Sequence, residues 1–193
     1  MVSPIVEGFS LTHAAILNGT TGAEEAAGDI YGVRSGSLEL DTDSYDNTGD
    51  DAVLSSWNWF NFATLTVQSG FVPFDTIQLL SGTQVKSSGT GAAQTHSLAL
   101  WEERQLNTST KPVLIRVPSR DTTGQARWLD FIIYKVQFDP ISFDGPAYKD
   151  GLLLNYSGKA LMSSTDEKGQ PVLDSVTGLP TKAIGRIVSS IKA

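Results

Sequence analysis

The run AVLSSWNWFNFATLTVQSGF, residues 52–71, constrains the fold more than any other part of the chain. It is crowded with β-branched and aromatic side chains, which suit a pleated, packed surface. Strand alternation places Trp57 and Trp59 on one face and Phe60 and Phe62 on the other. Both faces are then apolar over part of the run, or a bulge near 59–60 switches the face. A strand covered on two sides lies between layers or between subunits. A chain built around such a strand is committed to a mainly β architecture.

The rest of the sequence agrees with that commitment. Residues 30–40, 96–104, 113–118, 127–138, 151–162 and 183–191 read as strands. Within 128–138, Trp128, Ile132, Tyr134, Val136 and Phe138 share one face, with Asp130 as the exception. SRDTTGQ, between Pro118 and Ala126, reads as a hairpin tip. VPFDTIQLLSG, 72–82, is the best helix candidate. Pro73 suits its start, Gly82 its end, and Phe74, Ile77 and Leu80 recur at helical spacing. TQVKSSGTGAAQT (83–95) has loop composition, DPISFDGPAYKDG (139–151) reads as a crossover, and DEKGQPVLDSVTGLP (166–180) as a polar excursion. Residues 1–28 contain NGTTGAEEAAG and read as an arm or loop with weak structure of its own. Many strands and about one helix imply a single-domain β-sandwich or barrel across residues 1–193.

The stretch LELDTDSYDNTGDD, residues 38–51, holds six carboxylates and no base. Over 29–51 there are seven acids against the single base Arg34, a net of −6 out of −7 for the whole chain. Three readings are open: a calcium loop, a solvated hairpin tip, or a surface that faces a polyanion without holding it. An EF-hand loop fails in both registers. Tyr45 stands at the fifth position and Ala52 at the twelfth when counted from Asp41, and Thr48 replaces the required Gly when counted from Asp43. The abundance of Asp, Asn and Gly favours a turn over a calcium site.

Composition narrows the function further. With 193 residues and 40% hydrophobic side chains the chain can bury a core. Its acidity argues against a generally basic nucleic-acid binder. The absence of Cys removes disulfide and thiolate-metal chemistry. No apolar run approaches the ~20 residues that cross a bilayer, and MVSPIVEGFSL lacks the basic region of a secretory signal. The expectation is a soluble protein folding in a reducing cytosol, with no membrane partner.

A catalytic centre is not expected. The two histidines, His13 and His96, lie in the arm and at a strand edge, and no G-x-S-x-G is present. Glu102 and Glu103 are adjacent and diverge on a strand. GTGAAQ (89–94) lacks the last Gly of a dinucleotide loop and any following helix signal. The N-x-[ST] triplets at Asn18, Asn107 and Asn155 have no meaning without secretion. By sequence spacing there is no metal cluster and no cofactor motif.

The order of features resembles the siphophage major tail tube proteins, in particular those of phages of actinobacteria. GDIYGVRSGSLEL, the polar hairpin ending in GDD, AVLSSWNWFNFATLTVQSGFVPF and FDTIQLLSG match the front half of that layout. VQFDPISF, AYKDGLLLNYSGKALMSSTDEKGQP and the terminal KAIGRIVSS match the back half. The resemblance covers residues 28–191 and rests on layout, not on a catalytic signature. It implies a β-sandwich with one flanking α-helix and a long lumen-lining β-hairpin. Six copies would form a ring, rings would stack into a tube, and phage DNA would pass through the lumen without specific binding. Further partners would be the tape measure protein and the tail terminator and baseplate proteins. The location would be the virion tail, after synthesis in the bacterial host cytoplasm. Under this resemblance Asp29, Glu39 and Asp41 are lumen-lining candidates. Residues 43–52 form an inter-ring loop carrying Asp43, Tyr45, Asp46, Asp50 and Asp51. Trp57, Trp59, Phe60 and Phe62 pack in the core or between subunits.

Two other readings fit the same residues. A carbohydrate-binding β-sandwich could stack sugars on Trp57, Trp59 and Trp101 and hold calcium in the acidic loop. The related ring-forming tube proteins of bacterial secretion systems share the expected fold.

Overall fold

The computed structural model describes residues 5–6, 13–30, 33–49, 52–70, 74–81, 85–98, 110–139, 142–147 and 151–191. The chain is mainly β, and nearly all of its strands join one antiparallel sheet. In chain order they are β1 (Ile5–Val6), β2 (His13–Leu17), β3 (Glu24–Ile30), β4 (Val33–Gly49) and β5 (Ala52–Ser69). After helix α1 (Phe74–Ser81) come β6 (Val85–Ser88), β7 (Thr95–Leu98), β8 (Lys111–Arg120) and β9 (Ala126–Phe138). β10 (Ser142–Ala147), β11 (Gly151–Ala160) and β12 (Gly185–Ile191) follow. The main sheet runs β3-β2-β8-β9-β11-β5-β4, with β1 on β8, β10 on β11 and β12 on β9, while β6 and β7 form a separate pair.

Side chains from both ends of this path meet in one core. Ala14 and Ile16 of β2 and Ile30 of β3 share it with Ala63, Leu65 and Val67 of β5 and with Tyr156 and Ala160 of β11. A flat sheet would hold these strands apart, so the sheet curls until its inner faces meet. Ile77 of α1 joins the same core, and the Thr76 hydroxyl donates to the Asp29 carbonyl at 3.0 Å, tying the helix to β3. The helix lies where its Pro, Gly and apolar spacing place it.

The N-terminal expectation needs correcting. Residues 13–30 are not a weak arm, because β2 sits between β3 and β8 with Ala14 to Leu17 buried. HAAIL is covered on both faces, so it lacks the alternation that marks a half-buried strand. The polar NGTTGA segment is the turn of the β2–β3 hairpin. Asn18 Oδ1 accepts from the Thr20 and Thr21 amides, and Gly22 takes a positive φ of 68°. Gly28 allows the close approach of β3 to β2: a Cβ there would lie 2.7 Å from the Ile16 carbonyl oxygen.

Three other expectations change in detail. Part of 83–95 is strand, in β6 and β7, and Ser142–Ala147 of the expected crossover pairs with β11. The remainder of 96–104 beyond β7 lies outside the described residues. In β9 the apolar face does not run unbroken, because the register slips where Lys111↔Val136 gives way to Val113↔Ile133. Ile133 and Val136 therefore both reach the core although their numbers differ in parity. The tip at 121–125 is as expected. Asp121 organises it, its Oδ1 accepting from the Thr123 amide and hydroxyl and the Gln125 amide, and its Oδ2 from Arg127 Nε.

Candidate functional site

β4 and β5 pair from Val33↔Ser69 out to Gly49↔Ala52. β11 covers β5 only from Ala63 to Ser69. From Ala52 to Phe62 the hairpin runs on beyond the sheet, an overhang of about 35 Å at ~3.3 Å per residue. Among the described residues nothing pairs with the outer edge of β4, nor with the other edge of β5 along the overhang. The acidic segment is thus not a loop from 43 onward. Asp43 to Gly49 are strand, with Asp43 opposite Trp59, Tyr45 opposite Trp57 and Asp46 opposite Ser56. Pairing with β5 holds this stretch extended. Asp50 and Asp51 lie outside the described residues, as do the side chains of Tyr45, Asp46, Trp57 and Trp59.

The aromatic run contains a bulge. Asp41 pairs with Phe62 and Thr42 with Phe60, leaving Asn61 as the extra residue. It lies one residue beyond the expected 59–60 region and separates Phe60 from Phe62. Phe60 packs on the core with Ala63 and Leu65, while Phe62 turns to the opposite face. The grouping of Phe60 with Phe62 on one face is therefore corrected.

Apart from Phe62, that opposite face is polar along Ala63–Ser69 of β5. Glu39 stands opposite Thr64, and Thr64 opposite Lys159 of β11. Asp41 stands opposite Phe62, and Lys159 Nζ lies 4.9 Å from the Phe62 ring centroid. Ser35, Ser37, Thr66, Gln68, Ser157 and Asn155 continue the surface by register. Glu39, Asp41 and Asp43 fall at alternate positions of β4 and are exposed, so one face presents all three. Lys159, two strand spacings or about 10 Å from Glu39, is a cation of this face that sequence reasoning missed. Its place between Gly158 and Ala160 in a strand gave the only signal. On the core side of the same edge strand Leu38 and Leu40 are 41% and 62% exposed.

Asp29, the third lumen candidate, lies at the other end of the sheet path from Glu39 and Asp41. It is half-buried on β3, opposite Ala15. There it joins a row of charge that crosses β3, β2, β8 and β9. His13 pairs with Arg116, and Arg116 with Asp130, in register. Arg116 Nε and Nη2 donate to Asp130 at 2.8 and 3.0 Å, and Nη1 lies 3.5 Å from Glu24 Oε1. The Asp130 hydrogen bond is the largest cause that raises the Arg116 pKa above its ordinary value. Asp130, the one polar exception on an apolar strand face, was the sequence signal for this row. His13 Nε2 lies 3.1 Å from Glu24 Oε2 and 3.8 Å from Asp29 Oδ1. The sequence spacing of His13, Glu24 and Asp29 suggested no cluster, because only the hairpin brings them together.

A second buried ion pair joins Glu167, 2% exposed, to Arg186 of β12. It ties the turn at 166–169 to β12, and the same turn approaches the β2–β3 hairpin, where a Cβ on Gly22 would meet Lys168 and Glu167 side chains. The His96 side chain and residues Trp101, Glu102 and Glu103 lie outside the described residues. No helix among the described residues is long and apolar enough to cross a membrane. No family model matches the chain, and no curated protein sequence matches it either.

Proposed function

We propose that this chain is a self-assembling structural subunit of the phage tail tube type, whose copies form rings stacked into a conduit for DNA. The observation that carries the reading is the overhang of β4 and β5. An isolated two-stranded ribbon is marginal in water, and an open strand edge invites pairing with another chain. A neighbouring copy lying along the ribbon would satisfy its backbone groups. The same neighbour would cover Leu38 and Leu40, an apolar pair left exposed at the sheet edge. In a ring such pairing would make a closed barrel without edges.

The polar face of the hairpin would then line the channel. Glu39 and Asp41 would repel a phosphate backbone, and the hydroxyls of Ser37, Thr64 and Thr66 would hold water beside passing DNA. Lys159 tempers this field without reversing it. Asp29 is not a lumen residue in this reading, because it belongs to the charged row with His13 and Arg116. The tape measure, terminator and baseplate proteins, and a virion location, follow from the resemblance and share its standing. Electron microscopy of the purified protein over a range of concentration tests the reading. Rings or tubes are expected, and dispersed monomers at the highest concentration would sink it.

A further inference from the structure

We propose that His13, Glu24 and Asp29 form a binding site for one zinc-class divalent cation, tying the two ends of the β2–β3 hairpin together. His13 Nε2 is 3.1 Å from Glu24 Oε2 and 3.8 Å from Asp29 Oδ1, and the three donor atoms lie within 4.8 Å of one another. Zinc binds imidazole nitrogen and carboxylate oxygen at about 2.0–2.2 Å in tetrahedral geometry, which sets ligand–ligand edges near ~3.3–3.6 Å. The observed separations bracket that edge, so small side-chain rotations complete three ligand bonds. His13 is about one-third exposed, which leaves a fourth position for water.

The charges around the triad favour a cation. Glu24 and Asp130 face Arg116, and Glu25 faces Lys111 at 3.7 Å. With a neutral imidazole the ligand set itself carries the two carboxylate charges of Glu24 and Asp29, which match a divalent ion. Arg116 holds Glu24 by Oε1 and so leaves Oε2 toward His13. It is a positioning residue of the kind that surrounds metal ligands. One imidazole and two carboxylates are a donor set for zinc or manganese rather than for calcium or copper(I). The site does not depend on tube assembly, because none of its three residues lies on the overhanging part of β4 and β5.

Cobalt(II) reports the geometry directly. Titration of the chelator-stripped full chain with cobalt(II) should produce the intense visible bands of a four-coordinate ion at one equivalent. Zinc should then displace it stoichiometrically. His13→Ala should weaken binding by about tenfold or more, and Asp29→Asn, which keeps the side-chain shape, should also weaken it. Glu25→Gln, outside the triad, should bind as the wild type does. Far-UV circular dichroism of each variant separates ligand loss from unfolding. Absence of the cobalt bands in the wild type would overturn the proposal, as would unchanged affinity in a folded Asp29→Asn chain. In either case His13 serves only as an ion-pair partner of Glu24 and Asp29.

Discussion

The sheet body and the overhanging hairpin use carboxylates in opposite ways. In the body, Asp130 and Glu24 meet Arg116, Asp121 meets Arg127, and Glu167 meets Arg186. Asp121, Asp130 and Glu167 are buried, where an unpaired charge would be costly, while Glu24 is exposed. On the hairpin, Glu39, Asp41 and Asp43 repeat every second residue along one exposed face, opposite Thr64, Phe62 and Trp59. Like charges so arranged repel each other. The body uses its carboxylates in ion pairs within the fold, whereas the hairpin presents its carboxylates on an exposed face. Substitutions should separate the two: body variants should lose stability, and hairpin variants should lose assembly or transport.

The largest effect is expected at Gly158, where β9, β11 and β5 join. A Cβ there would lie 2.7 Å from the Gln137 carbonyl oxygen and 2.9 Å from Val136 Cγ1. Gly158→Val should cost about 3 kcal/mol or more by urea denaturation of the soluble chain. Arg116→Leu comes next. It strands Asp130 in a poorly solvated position, and because Arg116 is partly exposed the loss should be about 2 kcal/mol, below the usual range for fully buried pairs. If Arg116→Leu left stability unchanged, the charged row would be decorative and the contrast between body and hairpin would fail.

Acid should weaken the body through Asp121. Hydrogen bonds from Thr123, with those of Arg127 and Gln125, hold the Asp121 carboxyl at about 2, against an ordinary 3.8. A depressed folded-state pKa contributes stability that is fully present above the unfolded value and is lost as pH falls through the folded one. Wild-type stability should therefore decline between pH 4 and pH 2, and Asp121→Asn should show a flatter profile across that window. Asp174, whose carboxyl accepts from Thr177 and Val176, is depressed in the same direction. Parallel pH profiles for wild type and Asp121→Asn would remove Asp121 from this account.

The sequence made the body's strands legible but not their depth. β8, β9, β11, β12 and α1 follow from β-branched runs, turn residues and helical spacing. β2 did not, because Ala14, Ala15, Ile16 and Leu17 are buried on both faces and show no period. The turn around Asn18 disguised the hairpin as an arm. The bulge at Asn61 was foreseeable from the clash of aromatic faces, though its position needed the register of β4. Strand pairing through 43–49 was illegible, since Asp, Asn and Gly argue for a turn and only the partner strand holds them extended. The row through His13, Arg116 and Asp130 depends on contacts between distant segments, and Asp130 alone betrayed it.

Shortening the hairpin should cost the body little. Deleting 43–50 removes paired residues that β11 does not cover and that the described core does not include. The truncated chain should remain folded by near-UV circular dichroism, with unfolding free energy within about 1 kcal/mol of the wild type. It should also fail to form tubes under the electron microscope. Tubes from the truncated chain would move the assembly contact elsewhere in the sheet.

The smallest effect on stability, and the sharpest on function, is expected from the charge on β4. Glu39→Gln/Asp41→Asn should alter stability by less than about 0.5 kcal/mol, because both side chains are exposed and face hydroxyl or aromatic neighbours. Glu39→Lys/Asp41→Lys should be equally well folded. With six subunits per ring, as the tail tube resemblance implies, it would set about twelve lysines around each ring of the channel, beside the existing Lys159. Each phosphate contact releases counterions, so a few of them make binding tight and steeply salt-dependent. Tubes of the Lys variant should therefore retain DNA in a filter or gel-shift measurement at low salt and release it as salt rises, while wild-type tubes retain none. Intact Lys-variant tubes that ignore DNA would place this face on the outside of the assembly. The carboxylates of β4 would then serve solubility, and the hairpin's two faces would exchange roles.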